Sequence, residues 1–293
     1  MPSLKDVQDK IVGVKKTAQI TSAMNMVASA KLRGAQEKME NFEPYANKFN
    51  EAMSNLSGGA NTDAFPLMEV REEVKNVELV VITSDRGLCG SFNSNIIKLA
   101  LQKMRDYEAE GKEVTFLCVG KKGNQTLKKT GKVRMQFLDI MGDFQMFNAR
   151  EIAQDAALNF TNGAVDKVEV IYGHFKSVAV QRPVSIDMLP ITPIESEKAA
   201  DETEKQAGDY IYEPSTEEIM DVMQPLYLNV SVYNAMLQVG ASEQAARMTS
   251  MDNATNACKD IVDDLTLVFN KARQAAVTGE LMDIVGGAEA LKG

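Results

Sequence analysis

The sequence predicts an α/β protein: a long antiparallel coiled coil of N- and C-terminal helices plus a central Rossmann-like α/β domain. Two heptad runs and one alternating region predict it. From the N-terminus, a 3-4 spacing reads Leu4, Val7, Ile11, Val14, Ala18, Thr21, Asn25, Ala28, Leu32, Ala35, Met39 and Phe42, of which ten of twelve are apolar. Near the C-terminus it reads Ala241, Gln244, Met248, Met251, Thr255, Cys258, Val262, Leu265, Phe269, Ala272 and Ala276, nine of eleven apolar. A sustained 3.5-residue period is a seam that must face another helix, and two seams at opposite ends of one chain can face each other. Between them, short apolar runs alternate with helical stretches, the pattern of an α/β sheet. The expected divisions are 1–58 for the N-terminal coiled-coil helix, 59–208 for the central α/β domain with an acidic loop, and 209–293 for the C-terminal coiled-coil helix.

Ser3 and Asp6 form a capping-box-like start to the first helix. That helix is expected from Leu4 to Leu56, interrupted at Pro44, where the missing backbone donor kinks or ends a helix and the heptad register fades. Ser57-Gly58-Gly59 ends it. Strands are expected at Val77–Thr83 and Thr115–Val119, with a helix from Ser94 to Glu110 closed by Gly111. A Gly-Lys-Lys-Gly turn precedes a short helix at Gln125–Thr130. Another helix covers Phe147–Phe160, with Asn148 as a candidate cap. Lys167–Tyr172 and Ser177–Val180 read as a hairpin, and Val184–Leu189 continues the sheet. Pro193–Gly208 is acidic and turn-rich and reads as a mobile loop. A second long helix runs from Thr216 to Val285, weakened at Pro225 and Gly240 and ended or loosened by Gly286-Gly287.

By helical rise the two long helices span roughly 80 and 100 Å. The C-terminal one should therefore overhang its partner, carrying Val277, Leu281, Met282, Ile284, Val285, Ala288 and Leu291. An apolar tip with no helix to cover it needs a sleeve from another protein. Polar residues Thr21, Asn25, Gln244 and Thr255 interrupt the seams, where they fix register at some expense of stability. Met24, Met26, Met248 and Met251 around them suggest a soft packed neck.

The charge is uneven. The net of −9 lies mostly in Glu195–Asp221, which has ten acidic residues and two lysines. By contrast Lys10–Gln36 carries Lys10, Lys15, Lys16, Lys31 and Arg33 with no acid, which suggests an acidic partner. With a pI near 4.9, nucleic acid is not that partner. Three cysteines, at 89, 118 and 258, are neither paired nor in metal-ligand spacing, which fits a reducing compartment. The N-terminus has no secretory signal and no run of 18 apolar residues occurs, so membrane association must come through partners.

The most enzyme-like segment is Ser84-Asp85-Arg86-Gly87-Leu88-Cys89-Gly90-Ser91-Phe92-Asn93, between a strand and a helix, where phosphate-binding loops sit. It matches neither GxGxxG nor a Walker A loop. Cys89 stands where a thiolate is favoured, and His174 is the lone histidine available as a base, but nothing in the sequence pairs them. No catalytic, cofactor or metal constellation is expected.

The run Gln19-Ile20-Thr21-Ser22-Ala23-Met24-Asn25-Met26-Val27-Ala28-Ser29-Ala30-Lys31-Leu32 closely resembles the N-terminal motif of the gamma subunit of F-type ATP synthases, in its bacterial form. Ser84–Asn93 resembles that family's SDRGLCG-x-x-N segment. Glu243–Met248, Ala254–Ala257, Asn270–Glu280 and Ile284–Ala288 resemble its C-terminal helix, in the right order along the chain. The resemblance implies a non-catalytic rotor subunit, the central stalk. It would sit inside a hexamer of alpha and beta subunits, bind an epsilon subunit and a membrane c ring, and take no cofactor. Its place would be peripheral, on the cytoplasmic face of the bacterial inner membrane. By position the resemblance implies that Met24, with Lys31 and Arg33 near it, faces the acidic lever of a beta subunit, which the Arg86 and Cys89 loop also touches. Arg247 belongs to the C-terminal motif, Arg273, Gln274 and Thr278 to a catch on a beta subunit, and Tyr210, Tyr212 and Glu213 to the foot against the ring and epsilon. The family often has Lys where this chain has Ser22, which makes the basic neck slightly weaker here. A Rossmann-type enzyme and a static coiled-coil tether are the alternative readings.

Overall fold

The computed structural model describes residues 3–57, 65–71, 73–192, 213 and 215–290. The chain divides into two compact units, Met1–Ser29 with Arg247–Gly293, and Ala30–Ala246. Helix α1 (Leu4–Ser57) and helix α5 (Thr216–Ala290) each contribute to both. Between them run β1 (Asn76–Ile82), α2 (Phe92–Ala109), β2 (Glu113–Val119), α3 (Lys121–Leu127), β3 (Val133–Phe137), α4 (Met146–Thr161), β4 (Lys167–Phe175) and β5 (Gln181–Leu189).

In the unit Ala30–Ala246, five strands form one sheet in the order β3-β2-β1-β4-β5. All neighbours are parallel except β4 and β5, which are antiparallel. The apolar run from Val77 to Ile82 is buried throughout because β1 is central and covered on both faces. Along β4 the side chains alternate. Glu169 and Gly173 meet Tyr107 and Phe92 of α2, while Tyr172 faces α1 and α5. Gly120 ends β2 with φ +93, and a Cβ there would strike the Thr83 carbonyl oxygen at 2.2 Å, so only glycine lets the chain turn this closely into α3.

The helix pair obeys the expected spacing. In the unit Ala30–Ala246, Leu32 and Met39 are buried, and Met39 packs with Leu237 and Ala241. In the other unit Val7, Ala28 and Met251 are buried, and Ile11, Val14, Ala18, Val262, Leu265, Phe269 and Ala272 are half-buried. Ser3 and Asp6 make the reciprocal capping pair, Asp6 N–H to Ser3 Oγ at 3.2 Å and Ser3 N–H to Asp6 Oδ2 at 3.1 Å.

Several expectations are corrected. Helix α1 does not break at Pro44, and the seam does not fade there. Ala46, Phe49, Met53 and Leu56 are buried and continue the 3-4 spacing, while Pro44 is exposed on the opposite side. The Gly-Lys-Lys-Gly segment is not a free turn, because α3 begins at Lys121 and its first turn is anchored by side chains from β1's end. Asn148 does cap α4, but as the third residue of its first turn in a capping box with Gln145, whose N–H its Oδ1 accepts at 3.0 Å. Ser177–Val180 is the turn of the hairpin, closed by Val180 N–H to Ser177 O at 3.1 Å, so the hairpin's second strand is β5. The sequence reading omitted β3, whose middle residues are exposed and carry no apolar run. Helix α5 continues through Gly279, Gly286 and Gly287, where an added Cβ would meet nothing within 4 Å. Met26 is 64% exposed and lies outside the packed neck. The acidic stretch falls mostly outside the described residues.

Candidate functional site

At the C-terminal edge of the sheet the chain leaves β1 toward β2 on one side, and β4 later returns on the other. In open α/β sheets ligands enter the crevice at this switch of direction. Here the chain's own side chains close it. The carboxylate of Asp85 accepts backbone N–H groups from three places: Lys121 at 2.9 Å and Asp139 at 3.1 Å on Oδ1, and Met141 at 2.9 Å on Oδ2. The Gly123 N–H is taken by Thr83 Oγ1 at 2.8 Å and the Lys122 N–H by Ser84 O at 3.1 Å. These are the donors a phosphate would need. Beside them, Phe92 fills the space over Gly173 so closely that a Cβ there would lie 2.4 Å from its ring.

The loop between is tied from within. Asn93 Oδ1 accepts the Ser84 N–H at 3.0 Å, and Asn93 Nδ2 donates to Ser84 Oγ at 2.8 Å and to Cys89 Sγ at 3.1 Å. Ser84 Oγ donates to the Arg86 carbonyl at 2.6 Å. The result projects Arg86 and Leu88 into solvent. Leu88 is 63% exposed and held at φ +62, a conformation that disfavours a branched side chain. Cys89 is buried beneath them, and His174 is exposed at the end of β4, so the structure makes no thiol–imidazole pair of them. Among the described residues no group of three or more His, Cys, Asp or Glu side chains is placed to hold a metal.

The second feature lies in the unit formed by Met1–Ser29 and Arg247–Gly293. Thr21 Oγ1 and Thr255 Oγ1 share a hydrogen bond of 2.7 Å, and Asn25 Nδ2 donates to the Met248 carbonyl at 3.0 Å. The pairs advance along α1 as they retreat along α5, so the helices are antiparallel. Each hydroxyl also has a carbonyl acceptor one turn back on its own helix, Ala18 O for Thr21 at 3.1 Å and Met251 O for Thr255 at 2.8 Å, so one hydroxyl donates across the pair while the other bonds its own helix. Three of the four polar seam residues noted in the sequence thus make a two-rung polar lock. Beyond it the helices run on until α1 ends, and every described side chain from Arg273 onward is exposed. Val277 is 51%, Leu281 57%, Met282 68%, Ile284 68% and Val285 56% exposed; Leu291 lies outside the described residues.

The remaining candidate residues are scattered. Met24 is half-buried near the lock. Lys31 is exposed, and Arg33 is exposed with Glu37 at 3.8 Å. Arg247 is buried. Arg273, Gln274, Thr278 and Glu213 are exposed, and Tyr210 and Tyr212 lie outside the described residues. The sequence reading missed the roles of Asp85, Phe92 and Asn93. All three stand in the quoted motif, but nothing in one dimension says that Asp85's partners are 36 to 56 residues away, that Phe92 packs over Gly173, or that Asn93 folds back on Ser84 and Cys89.

A chain whose sheet crevice is filled by its own residues, and whose long paired helices end in an uncovered apolar tip, belongs to the class of assembly subunits rather than nucleotide-processing enzymes. A family model described as ATP synthase matches residues 3–291. An ATP synthase gamma chain of Desulfotalea psychrophila is 70% identical over 292 residues and all of both chains. One from Nitratidesulfovibrio vulgaris (strain Miyazaki F) is 52% identical over 294 residues, again all of both. Among solved structures, a chain of the Tetrahymena thermophila mitochondrial ATP synthase central stalk and c ring is 27% identical with TM-score 0.60, covering 80% of this chain and 99% of that one. A chain of the Euglena gracilis mitochondrial ATP synthase rotor shares the fold at 21% identity and TM-score 0.66, covering 94% of this chain and 98% of that one. The chain belongs to the ATP synthase gamma-chain family.

Proposed function

We propose that this chain is the central-stalk rotor subunit of an F-type ATP synthase. It couples ion-driven rotation of a membrane c ring to the conformational cycling of catalytic beta subunits. The observation that carries this is the apolar end of α5, uncovered by any part of the described chain, in a member of the gamma-chain family matched end to end. An exposed apolar helix end of this size needs a protein sleeve, and a hexamer of alpha and beta subunits supplies one. No helix among the described residues is long and apolar enough to cross a membrane, so attachment to the cytoplasmic face of the bacterial inner membrane runs through the c ring.

Rotation acts by differential contact: a shaft with unlike sides presses each beta subunit into a different state. Residues 1–58 and 209–293 form the shaft, with the foot at the start of the second segment, and 59–208 form the α/β body. Met24, Lys31, Arg33 and Arg86 meet the acidic lever of beta, and buried Cys89 serves by holding Arg86 outward. Arg247 braces the C-terminal motif from inside. Arg273, Gln274 and Thr278 form the catch, and Tyr210, Tyr212 and Glu213 the contact with epsilon and the ring.

The test is reconstitution with alpha and beta subunits from the same source, scoring ATP hydrolysis and rotation of a bead fixed to the α/β body. Stepwise one-way rotation is expected. Failure to assemble, with nucleotide bound by the isolated chain, would overturn the proposal in favour of a Rossmann-type enzyme.

A further inference from the structure

Where α5 passes the end of β4, within Ala30–Ala246, three parts of the chain hold it. Leu237 and Ala241 pack on Met39 of α1. A helix turns about 100° per residue, so Gln238 and Ser242 lie about 100° to one side of that contact and Gly240 roughly 60–100° to the other. On the first side α5 is bonded to β4: the Phe175 N–H donates to Gln238 Oε1 at 3.0 Å, and Ser242 Oγ donates to the Gly173 carbonyl at 3.1 Å. On the second side stands half-buried Phe144, from the segment between β3 and α4. A Cβ added to Gly240 would lie 3.6 Å from Phe144 Cε1, so the ring rests against the residue of this turn that has no side chain. Tyr233, two turns earlier on α5, meets the same ring edge to face, with 5.8 Å between centroids and planes at 73°.

The segment that carries Phe144 is fastened at its other end. Buried Met141 gives its N–H to Asp85 Oδ2 and Asp139 gives its own to Asp85 Oδ1. Hydrogen bonds from backbone N–H groups to a carboxylate are stronger than those to neutral acceptors. Asp139 is held at φ +63, which an aspartate tolerates but rarely adopts without support, and Lys121 Nζ grips its carboxylate at 2.6 Å. Asp85 adjoins the exposed Arg86, so one carboxylate ties the projecting loop, the first turn of α3 and the Phe144 segment together. For α5 to turn on its axis, either the end of β4 or Phe144 must give way, and Phe144 recedes only by drawing on the bonds to Asp85. We propose that residues 138–145 are a strap that locks α5 against turning on the sheet, with Asp85 and Phe144 as its two fastenings, and that torque enters α5 through it. The torque role rests on the rotor reading above; the strap itself does not.

Fluorine NMR of the full chain labelled with 3-fluorotyrosine reads the strap at one end. The Tyr233 signal, assigned by its loss in Tyr233→Phe, should shift in Phe144→Ala. Asp85→Asn should move it in the same direction, although the hydrogen bonds of Asp85 go to Lys121, Asp139 and Met141 and none to α5. Hydrogen exchange reads the other end. Gly240→Leu should push Phe144 aside and speed exchange of the Asp139 and Met141 amides by about tenfold, because coupling between two sites is reciprocal. The amide of Val80 in the central strand gives the reference for global unfolding. The two variants act from opposite ends, so either decides if the other folds poorly. A Tyr233 signal unmoved by Asp85→Asn, or loop amides that quicken no more than Val80, would overturn the strap. In the motor reconstituted with alpha and beta subunits, Phe144→Ala should lower the stall torque while unloaded ATP hydrolysis is unchanged, and an unchanged stall torque would overturn the torque role. A wild-type chain that never turns would count against the rotor reading instead, and the two measurements on the isolated chain would still decide the strap.

Discussion

Glu169 sits almost wholly buried on β4 with two lysines and two hydroxyls turned toward it. Burial would push its carboxyl up, but donation from Tyr107, Lys167 and Ser185 outweighs this and holds the pKa at about 2. Lys167 Nζ is 2.9 Å away, Lys103 Nζ 3.1 Å and Ser185 Oγ 2.8 Å. A carboxyl depressed from its ordinary 4.5 stabilises the fold fully above that value and loses the contribution as the pH falls toward 2. Acid unfolding of Glu169→Gln should therefore lose the part of its pH dependence between about 4.5 and 2, which urea melts at stepped pH will resolve. At neutral pH the same variant should be less stable by about 2–3 kcal/mol. That is less than the 3–5 kcal/mol for a fully buried pair, because both lysines reach water. Gly173 tests the neighbouring contact. Its absent Cβ makes room for Phe92, so Gly173→Ala should cost about 1–3 kcal/mol through overpacking, whereas Gly286→Ala, in open space, should not destabilise at all.

At the scale of the element, the two long helices divide into seam and surface by the heptad alone, and most of that was legible in the sequence. The 3-4 spacing placed Leu32, Met39 and Met251 on the inside because helical period depends on neighbours a few residues apart. Pro44 was misjudged for the complementary reason: whether a proline ends a helix depends on what packs against the next turn. Here Ala46, Phe49 and Met53 are buried in the body and carry the helix past the missing donor. Pro44→Ala should thus stabilise the chain by about 1–2 kcal/mol in urea melts, since the restored hydrogen bond is partly offset by a more flexible unfolded chain. Strand β3 was illegible because an exposed edge strand needs no apolar pattern. In the crevice, Ser84–Asn93 was visible as a motif, but Asp85's hold on Lys121, Asp139 and Met141 was not, since their meeting is made by the sheet. Thr21, Asn25 and Thr255 were visible as polar breaks in the seams. Asn25→Val should raise the thermal stability of the helix pair while loosening its register, as polar seam residues trade one for the other. With cysteines placed at 21 and 255, disulfide trapping should be efficient with Asn25 present. It should spread to neighbouring registers, probed by moving the second cysteine one turn, once Asn25 is replaced.

For the whole molecule, the uncovered end of α5 separates stability from assembly. From Arg273 onward the described side chains are exposed, so they contribute little to folding of the isolated chain. Removing residues 277–293 should leave the main melting transition of the purified chain within about 0.5 kcal/mol, the usual range for surface changes. The described part of the deleted segment carries five large apolar side chains, each at least half exposed, on a helix that α1 no longer accompanies. In a sleeve they would leave water together, and burying one such side chain is worth about 1.5–3 kcal/mol before the entropy of ordering is subtracted. Assembly with alpha and beta subunits, followed by sedimentation or by capture on immobilised beta, should accordingly weaken by tenfold or more in the truncated chain. Met24→Lys provides the contrast. It leaves the end intact and adds a positive charge near the lock, so assembly should persist while ions pumped per ATP fall in reconstituted vesicles. If the truncated chain assembled as tightly as the full one, the apolar end would be surface rather than bearing, and the contacts that matter would have to be elsewhere, at Arg86 and the polar lock.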